Sequence, residues 1–264
     1  MAFSLLTFDA RHITPYGIGY AADSISVAMN HHKLRCHIYS YFNELAGNKD
    51  FRKPLFRNRV LYKLSKKLLN TRGIHQLASM RMLSLLAQYD AAYLWTNCKL
   101  ELYQKIKEKN KILICEAINT HQNSARIILD TEYARIGITQ TKRISNENIN
   151  DENAKLALSD FIFCPSPNVT KSMLDNGVDA TKLIETSYGL GPHQRHQPDS
   201  SLHHTKGFNV LFVGSGIIRK GIHLLLAYWR DAHIDGLLTI IGNVDPEIEH
   251  IVQPYRNDRR FKFV

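Results

Sequence analysis

The chain has 264 residues, of which 44% are hydrophobic and 22% charged, with a net charge of +10. That balance excludes wholesale disorder and allows one large domain or two modest ones, each with its own core. The positive charge favours an anionic partner, whether nucleic acid, a membrane surface or a phosphate-bearing ligand. It is uneven: residues 52–111 carry fourteen Lys or Arg against three Asp or Glu.

Residues 2–10 read as a buried strand, 11–19 as a loop containing Pro15, Gly17 and Gly19, and 20–31 as a helix with Ala22, Ile25, Ala28 and Met29 at helical spacing. Residues 34–41 read as a second strand, and this β-loop-α-β opening predicts a parallel sheet. Residues 42–58 are polar and irregular. Helices over 59–70 and 74–89, a short strand over 90–95, a helix over 100–110 and a buried strand over 111–116 follow. Next come helices over 123–136 and 146–159, a strand over 160–164, a helix over 168–176 closed by Gly177, and a strand over 182–186.

Residues 190–207 are rich in Pro, Ser and His and nearly free of aliphatic side chains, as in an interdomain linker. The histidines here suggest a metal tract, but nothing fixes their geometry, and the reading adopted is a solvated loop. A second unit then starts with a strand over 208–213, a turn over 214–221, a helix over 222–230 and a strand over 237–241. A helix begins at 246–252 and a last strand at 261–264. With so few strands the second α/β domain reads as incomplete. The expected division is therefore 1–189, linker 190–207, and 208–264.

The cysteines (Cys36, Cys98, Cys115 and Cys164) lie far apart with no CxxC pair, which argues against a zinc site or a disulfide framework. Cys115 and Cys164 sit in apolar runs and read as core residues, and reduced thiols fit a cytoplasmic setting. Residues 3–8 lack the basic flank and length of a signal peptide. No run approaches the roughly 18–20 apolar residues of a spanning helix. A soluble protein is expected, peripheral to a membrane at most.

The sharpest constellation is FNVLFVGSGIIRKG at 208–221, followed by IHLLLAYW. A strand delivers a glycine turn, and the turn delivers Arg219 and Lys220 to the start of a helix. Glycines let a backbone approach a phosphate, a helix N-terminus offers unpaired N–H groups, and Arg and Lys add full charges. Gly214, Gly216, Arg219 and Lys220 are thus candidates for a diphosphate site, with a basic loop that binds nothing as the alternative.

This stretch resembles the start of the C-terminal domain in family 4 retaining glycosyltransferases of the GT-B fold. Lys220-Gly221 and Leu224-Leu225-Leu226-Ala227 carry the likeness. Family members often place an arginine directly after the first glycine, where this chain has Ser215, and Arg219 stands in its place. Upstream, CPSPNVTKSMLDNGVDATKLIETSYG matches the family's segment at the end of the N-terminal domain through Ser166, Asn176, Gly177, Val178, Lys182 and Tyr188-Gly189.

The resemblance implies an α/β protein of GT-B type, with a Rossmann-like acceptor-side domain followed by an incomplete second Rossmann-like domain. It implies transfer of a sugar from a nucleotide diphosphate donor to a saccharide or lipid-linked acceptor, with retention. Gly17 and Gly19 would face the donor diphosphate, His121 in EAINTHQ would orient the sugar as the catalytic residue, and Arg219, Lys220 and helix dipoles would stabilise the leaving diphosphate without metal or cofactor. The family's Glu-x7-Glu element falls beyond residue 264, so residues 1–264 alone are expected to bind the donor poorly and to give no measurable transfer.

Three rival readings stand beside this. GIGYAA fits G-x-G-x-x-G/A of dinucleotide-binding folds, but residues 11–16 intervene where that motif should follow its strand at once. Helix 59–70 (RVLYKLSKKLLN) places Val60, Leu61, Leu64 and Leu68 on one face; the favoured reading packs that face on the sheet, and the alternative lays it on an anionic membrane. The last is a non-enzymatic binder of nucleic acid through residues 52–111, for which no RRM or zinc-finger motif is present.

Overall fold

The computed structural model describes residues 2–45, 50–95, 97–189 and 208–264. The expected linker lies outside these described residues. The chain forms two compact units: residues 1–124 with 145–195, and residues 125–144 with 196–264.

The first unit is built on a parallel sheet of seven strands, in the order β3-β2-β1-β4-β5-β6-β7. The strands are β1 (Phe3–Ile13), β2 (Leu34–Asn43), β3 (Arg52–Pro54), β4 (Ala91–Leu94), β5 (Ile112–Glu116), β6 (Phe161–Cys164) and β7 (Leu183–Glu185). Strands covered on both faces read as continuous apolar runs, and β1 does so. Leu6, Phe8 and Ala10 enter one core cluster, with Met82, Leu102 and Ile106; Leu5 and Ile13 enter the other, with Ala22, Ile38 and Tyr93. Each fully buried aliphatic or aromatic side chain contributes about 1.5–3 kcal/mol. Helix α1 (Gly17–Ala28) supplies Ala22 to one face, and α3 (Thr71–Leu85), α4 (Leu100–Glu108), α6 (Asn146–Leu158) and α7 (Pro167–Asp175) cover the other.

Local signals hold where expected. Ser166 caps α7, its hydroxyl accepting from the Val169 N–H at 3.3 Å, with Pro167 at the first helical position. Gly177 ends the helix at φ +81°, a conformation that glycine adopts without penalty. All four cysteines are free and buried, and burial pushes the Cys115 thiol up to about 12, so they are poor nucleophiles.

Three expectations change. The first strand continues to Ile13 because a shift in register between Asp9 and His12 lets it resume pairing at His12–Phe42 and Ile13–Asn43. The expected loop 11–19 therefore shrinks to residues 14–16, and Gly17 and Gly19 lie in the first turn of α1. Second, the region read as irregular contains β3, an edge strand, where Pro54 is tolerated. Third, α2 (Arg59–Leu68) does not pack its aliphatic face on the sheet. Tyr62 and Ser65 are its buried residues, while Val60, Leu61, Leu64 and Leu68 are exposed, Leu68 to 81%. Tyr62 stacks on Phe42 at 5.6 Å and meets His12 edge-on at 5.1 Å, so aromatic packing sets the helix rotation and turns the leucines outward.

The second unit has a three-stranded parallel sheet in the order β10-β9-β8, from β8 (Phe208–Val213), β9 (Gly236–Ile241) and β10 (Phe261–Phe263). Its core takes Ile222, Leu226 and Trp229 from α8 (Ile222–Asp231) and Val252 from α9 (Glu249–Val252). It also takes Tyr133, with Leu129 and Ile136 packed alongside, from α5 (Gln122–Ile136). Residues 125–144, inside the 1–189 domain expected from sequence, thus group with the second unit. Two polar links support this: the Tyr133 hydroxyl donates to Glu247 at 2.9 Å, and His223 Nε2 meets Glu132 at 2.5 Å. No helix among the described residues is long and apolar enough to cross a membrane.

Candidate functional site

In the first unit, β1 has β2 on one side and β4 on the other, so the strand order reverses there. Open parallel sheets bind ligands at such a point, beyond the carboxyl ends of the strands. Asp9 and Arg11 near the end of β1, Gly17 and Gly19 at the start of α1, Trp95 after β4, and Glu116 and His121 at or after the end of β5 all lie in this region of the topology.

Gly17 has φ +75° and opens α1. Gly19 is buried, and a Cβ there would stand 3.4 Å from both Asp9 Oδ2 and the Ile13 Cα, so the helix start presses directly on the end of β1. Asp9 is fully buried. Arg11 Nε donates to its Oδ1 at 2.6 Å, while Oδ2 has no hydrogen-bond partner. Burial lifts the carboxyl from its ordinary value near 3.8 to about 6, against the opposing pull of Arg11. The folded chain therefore holds this proton where the unfolded chain has released it. The resulting stability is complete below about pH 4 and is lost as pH rises through about 6. Asp9→Asn is expected to stabilise the protein at pH 8 by roughly 2–3 kcal/mol, at about 1.4 kcal/mol per pH unit. Urea unfolding of both forms at pH 4 and pH 8 checks this, and a difference that is the same at both values contradicts it.

Glu116 accepts from the buried Tyr93 hydroxyl and from the Tyr188 hydroxyl, the latter at 2.6 Å. Burial raises its carboxyl above the usual range, and the two phenols oppose that rise. Tyr188 stacks on Trp95 with ring centroids 6.4 Å apart, so Glu116 and Trp95 together hold the end of the described first unit against the sheet.

His121 is 1% exposed. Its Nδ1 accepts from the Asn123 N–H at 3.2 Å, in the first turn of α5, and its Nε2 faces Asn153 Oδ1 at 2.8 Å, with Glu152 at 3.4 Å. An acceptor Nδ1 places the ring proton on Nε2 in the neutral tautomer. Both nitrogens are thus engaged by α5 and α6.

In the second unit, the turn after β8 has a different economy of bonds. The Gly214 N–H donates to Ile241 O at 2.9 Å and the Gly216 N–H to Asn243 O at 2.8 Å. These glycines extend the β8–β9 pairing, and neither of their N–H groups is left for a phosphate. The next residues behave otherwise. Ile218 and Ile222 are buried and pin the two ends of a short turn, which leaves Arg219 and Lys220 exposed between them. Neither side chain has a hydrogen-bond or ion-pair partner among the described residues. Gly221, at φ +71°, occupies the cap position of α8 and offers no side chain to its first N–H groups. Two unpaired cations therefore flank an uncapped helix start, the arrangement that holds anions. The predicted residues form two sets, Gly17, Gly19 and His121 in the first unit and Gly214, Gly216, Arg219 and Lys220 in the second.

By sequence, no protein-family model and no curated protein matches the chain. By structure, it is similar to HepE of Anabaena, solved in complex with UDP and glucose, at TM-score 0.61 and 12% identity over 99% of this chain and 69% of that one. It is similar to the lipopolysaccharide outer core galactosyltransferase WaaB in its apo form, at TM-score 0.54 and 13% identity over 98% and 67% of the two chains. A putative UDP-N-acetylglucosamine 2-epimerase of Listeria monocytogenes matches at TM-score 0.53 and 8% identity, over 100% and 69%. The fold is GT-B.

Within this GT-B chain, sequence reasoning passed over Asp9, Glu116 and Trp95. Asp9 and Arg11 are alternate residues of one strand and share a face, a signal that was available. Glu116 reads as the polar end of an apolar strand, and its two phenol partners lie 23 and 72 residues away, with no local pattern to announce them.

Proposed function

We propose that this chain is a sugar-nucleotide-binding protein of the glycosyltransferase type, whose donor diphosphate is held by Arg219, Lys220 and the N-terminus of α8. The observation that carries the reading is the pair of unpaired cations beside an uncapped helix start, at the position where the sequence resembles the donor domain of family 4 enzymes. Transfer from a nucleotide diphosphate donor then depends on neutralising the departing diphosphate, and fixed charges with oriented N–H groups do this with little reorganisation. Gly214 and Gly216 shape the turn, and Gly17 and Gly19 leave two positions at the start of α1 without a side chain. His121 is proposed to orient the sugar, exchanging its Asn153 bond for one to a sugar hydroxyl. Retention, a saccharide or lipid-linked acceptor and a cytoplasmic setting belong to the same proposal.

The test is calorimetric titration of the whole chain with UDP and UDP-glucose, with sugar transfer and UDP release followed in parallel. Saturable UDP binding is expected, and His121→Ala is expected to reduce sugar-dependent binding while leaving that of UDP unchanged. Because epimerases share this fold, the assay also includes UDP-N-acetylglucosamine; its conversion at C2 would favour an epimerase instead. Tight, salt-steep binding of generic DNA or RNA with no UDP binding would sink both readings.

A peripheral membrane contact through residues 59–70 is part of the proposal and is supported by the outward face of α2. Leu61, Leu64 and Leu68 stand exposed there, and Lys63, Lys66 and Lys67 lie on the same helix. Juxtamembrane cations add about 1 kcal/mol each at an anionic surface. Leu64→Glu with Leu68→Glu is expected to abolish co-sedimentation with phosphatidylglycerol vesicles and to leave the melting temperature unchanged. Retained binding would assign the contact elsewhere.

A further inference from the structure

Alternate residues of β2 point to opposite faces, and Tyr39 points into the cluster that contains Met82 and Leu86. It is 2% exposed, and its hydroxyl has no hydrogen-bond partner. Buried hydroxyls are rarely left so. A cavity of about 620 Å³ opens over it beside the outer edge of the sheet, between β3 and α3. Arg52, Lys53, Arg57 and Arg81 line this cavity, with Leu55 and Leu85 supplying apolar wall, and none of its described lining residues is acidic.

The charges are not equivalent. Arg52 forks onto Asp23, with Nε at 2.8 Å and Nη2 at 2.6 Å, and Asn43 joins the same carboxylate at 2.8 Å. That network balances Arg52 and fixes the wall. The side chains of Lys53, Arg57 and Arg81 have no hydrogen-bond or ion-pair partner among the described residues. A concave site of this size, with three uncompensated cations around one unused buried donor, suits a compact multivalent anion with several acceptor oxygens. A carboxylate offers a single charge and two oxygens, while a phosphate monoester offers close to two charges and three terminal oxygens.

We propose that this cavity is a phosphate-binding site, in which Arg81, Lys53 and Arg57 neutralise the anion and the Tyr39 hydroxyl donates to one of its oxygens. The phosphate belongs to a soluble phosphorylated sugar or to a lipid headgroup. All the described lining residues lie in the first unit, so the site does not depend on the donor reading, which rests on the second.

The test is calorimetry on the whole chain with inorganic phosphate and glucose 6-phosphate, beside co-sedimentation with vesicles containing phosphatidic acid, whose headgroup is a phosphate monoester. Saturable binding is expected. The Lys53→Gln, Arg81→Gln double variant should weaken it about tenfold or more, since charged hydrogen bonds are lost. Tyr39→Phe should also weaken it, while melting at or above the parent temperature, because the deleted hydroxyl has no partner to lose. The titrations are repeated in the Arg219→Ala, Lys220→Ala background, where the turn before α8 cannot contribute, and the cavity variants should have the same effect there. If only vesicles bind, and both cavity variants reduce that binding, the phosphate is a headgroup. Binding that Tyr39→Phe and the double variant leave intact, or no binding of any probe at millimolar concentration, overturns the proposal.

Discussion

Replacing Lys220 by Ala is expected to weaken UDP binding by about tenfold, and the Arg219→Ala, Lys220→Ala pair by up to about a hundredfold, because each deletes a charge-assisted contact worth about 1.4 kcal/mol or more. Both side chains are exposed, so solvent and salt screening pull the figures to the low end of that range. The exposure also separates binding from stability. Neither residue has a described partner to lose, and the buried anchors Ile218 and Ile222 remain. The melting temperature should therefore stay constant while affinity falls. The salt dependence of UDP binding should flatten in the same variants, because fewer phosphate charges are then neutralised. Calorimetry at low and high salt reads both quantities. An unchanged affinity in the double variant would remove the turn from the donor site.

Gly242→Ala is expected to destabilise the second unit by about 3 kcal/mol or more, through backbone overlap and strain together. Gly242 has φ +139°, and a Cβ there would stand 2.1 Å from the carbonyl oxygen of Gly214. Neither backbone can yield freely. Gly214 bonds to Ile241, Gly216 bonds to Asn243, and the Asp245 N–H returns to Gly216 O at 2.9 Å. This tight crossing of the ends of β8 and β9 sets the path of the turn that carries Arg219 and Lys220. The substitution should thus lower UDP affinity along with stability, unlike the charge deletions. Gly73→Ala is a useful contrast. Gly73 lies within α3, and a Cβ there would make only ordinary contacts, the nearest at 3.5 Å. That change should stabilise by about 0.5–1 kcal/mol. Urea unfolding of the pair gives opposite signs if the crossing is as tight as the structure has it, and matching signs if it is not.

Much of the fold was legible because its causes are local. Strands covered on both faces need unbroken apolar runs, so 2–10 and 111–116 declared themselves; 208–213 is as apolar in sequence, although Phe208, Leu211 and Val213 stand exposed on β8. Gly177 and Gly221 hold positive φ, which few residue types adopt, and Ser166 caps its helix through a side-chain oxygen that few residue types offer. The basic turn at 219–220 was equally visible, since a strand, a glycine and two cations before a helix are adjacent in sequence.

What the tertiary structure decided depends on partners far along the chain. The sequence places four aliphatic residues on one stripe of α2, but Phe42 and His12 claim Tyr62 and turn that stripe outward. Arg52–Pro54 has no strand pattern and becomes β3 only because the β2 edge is there to pair with it. The end of α5 finds its core in the second unit, through Tyr133 and Glu247, 114 residues apart. His121 loses its freedom to Asn153, and the Gly214 and Gly216 N–H groups are taken by the carbonyls of Ile241 and Asn243. Periodicity records which residues leave water, but the choice among possible neighbours is made by packing and hydrogen bonding when distant segments meet.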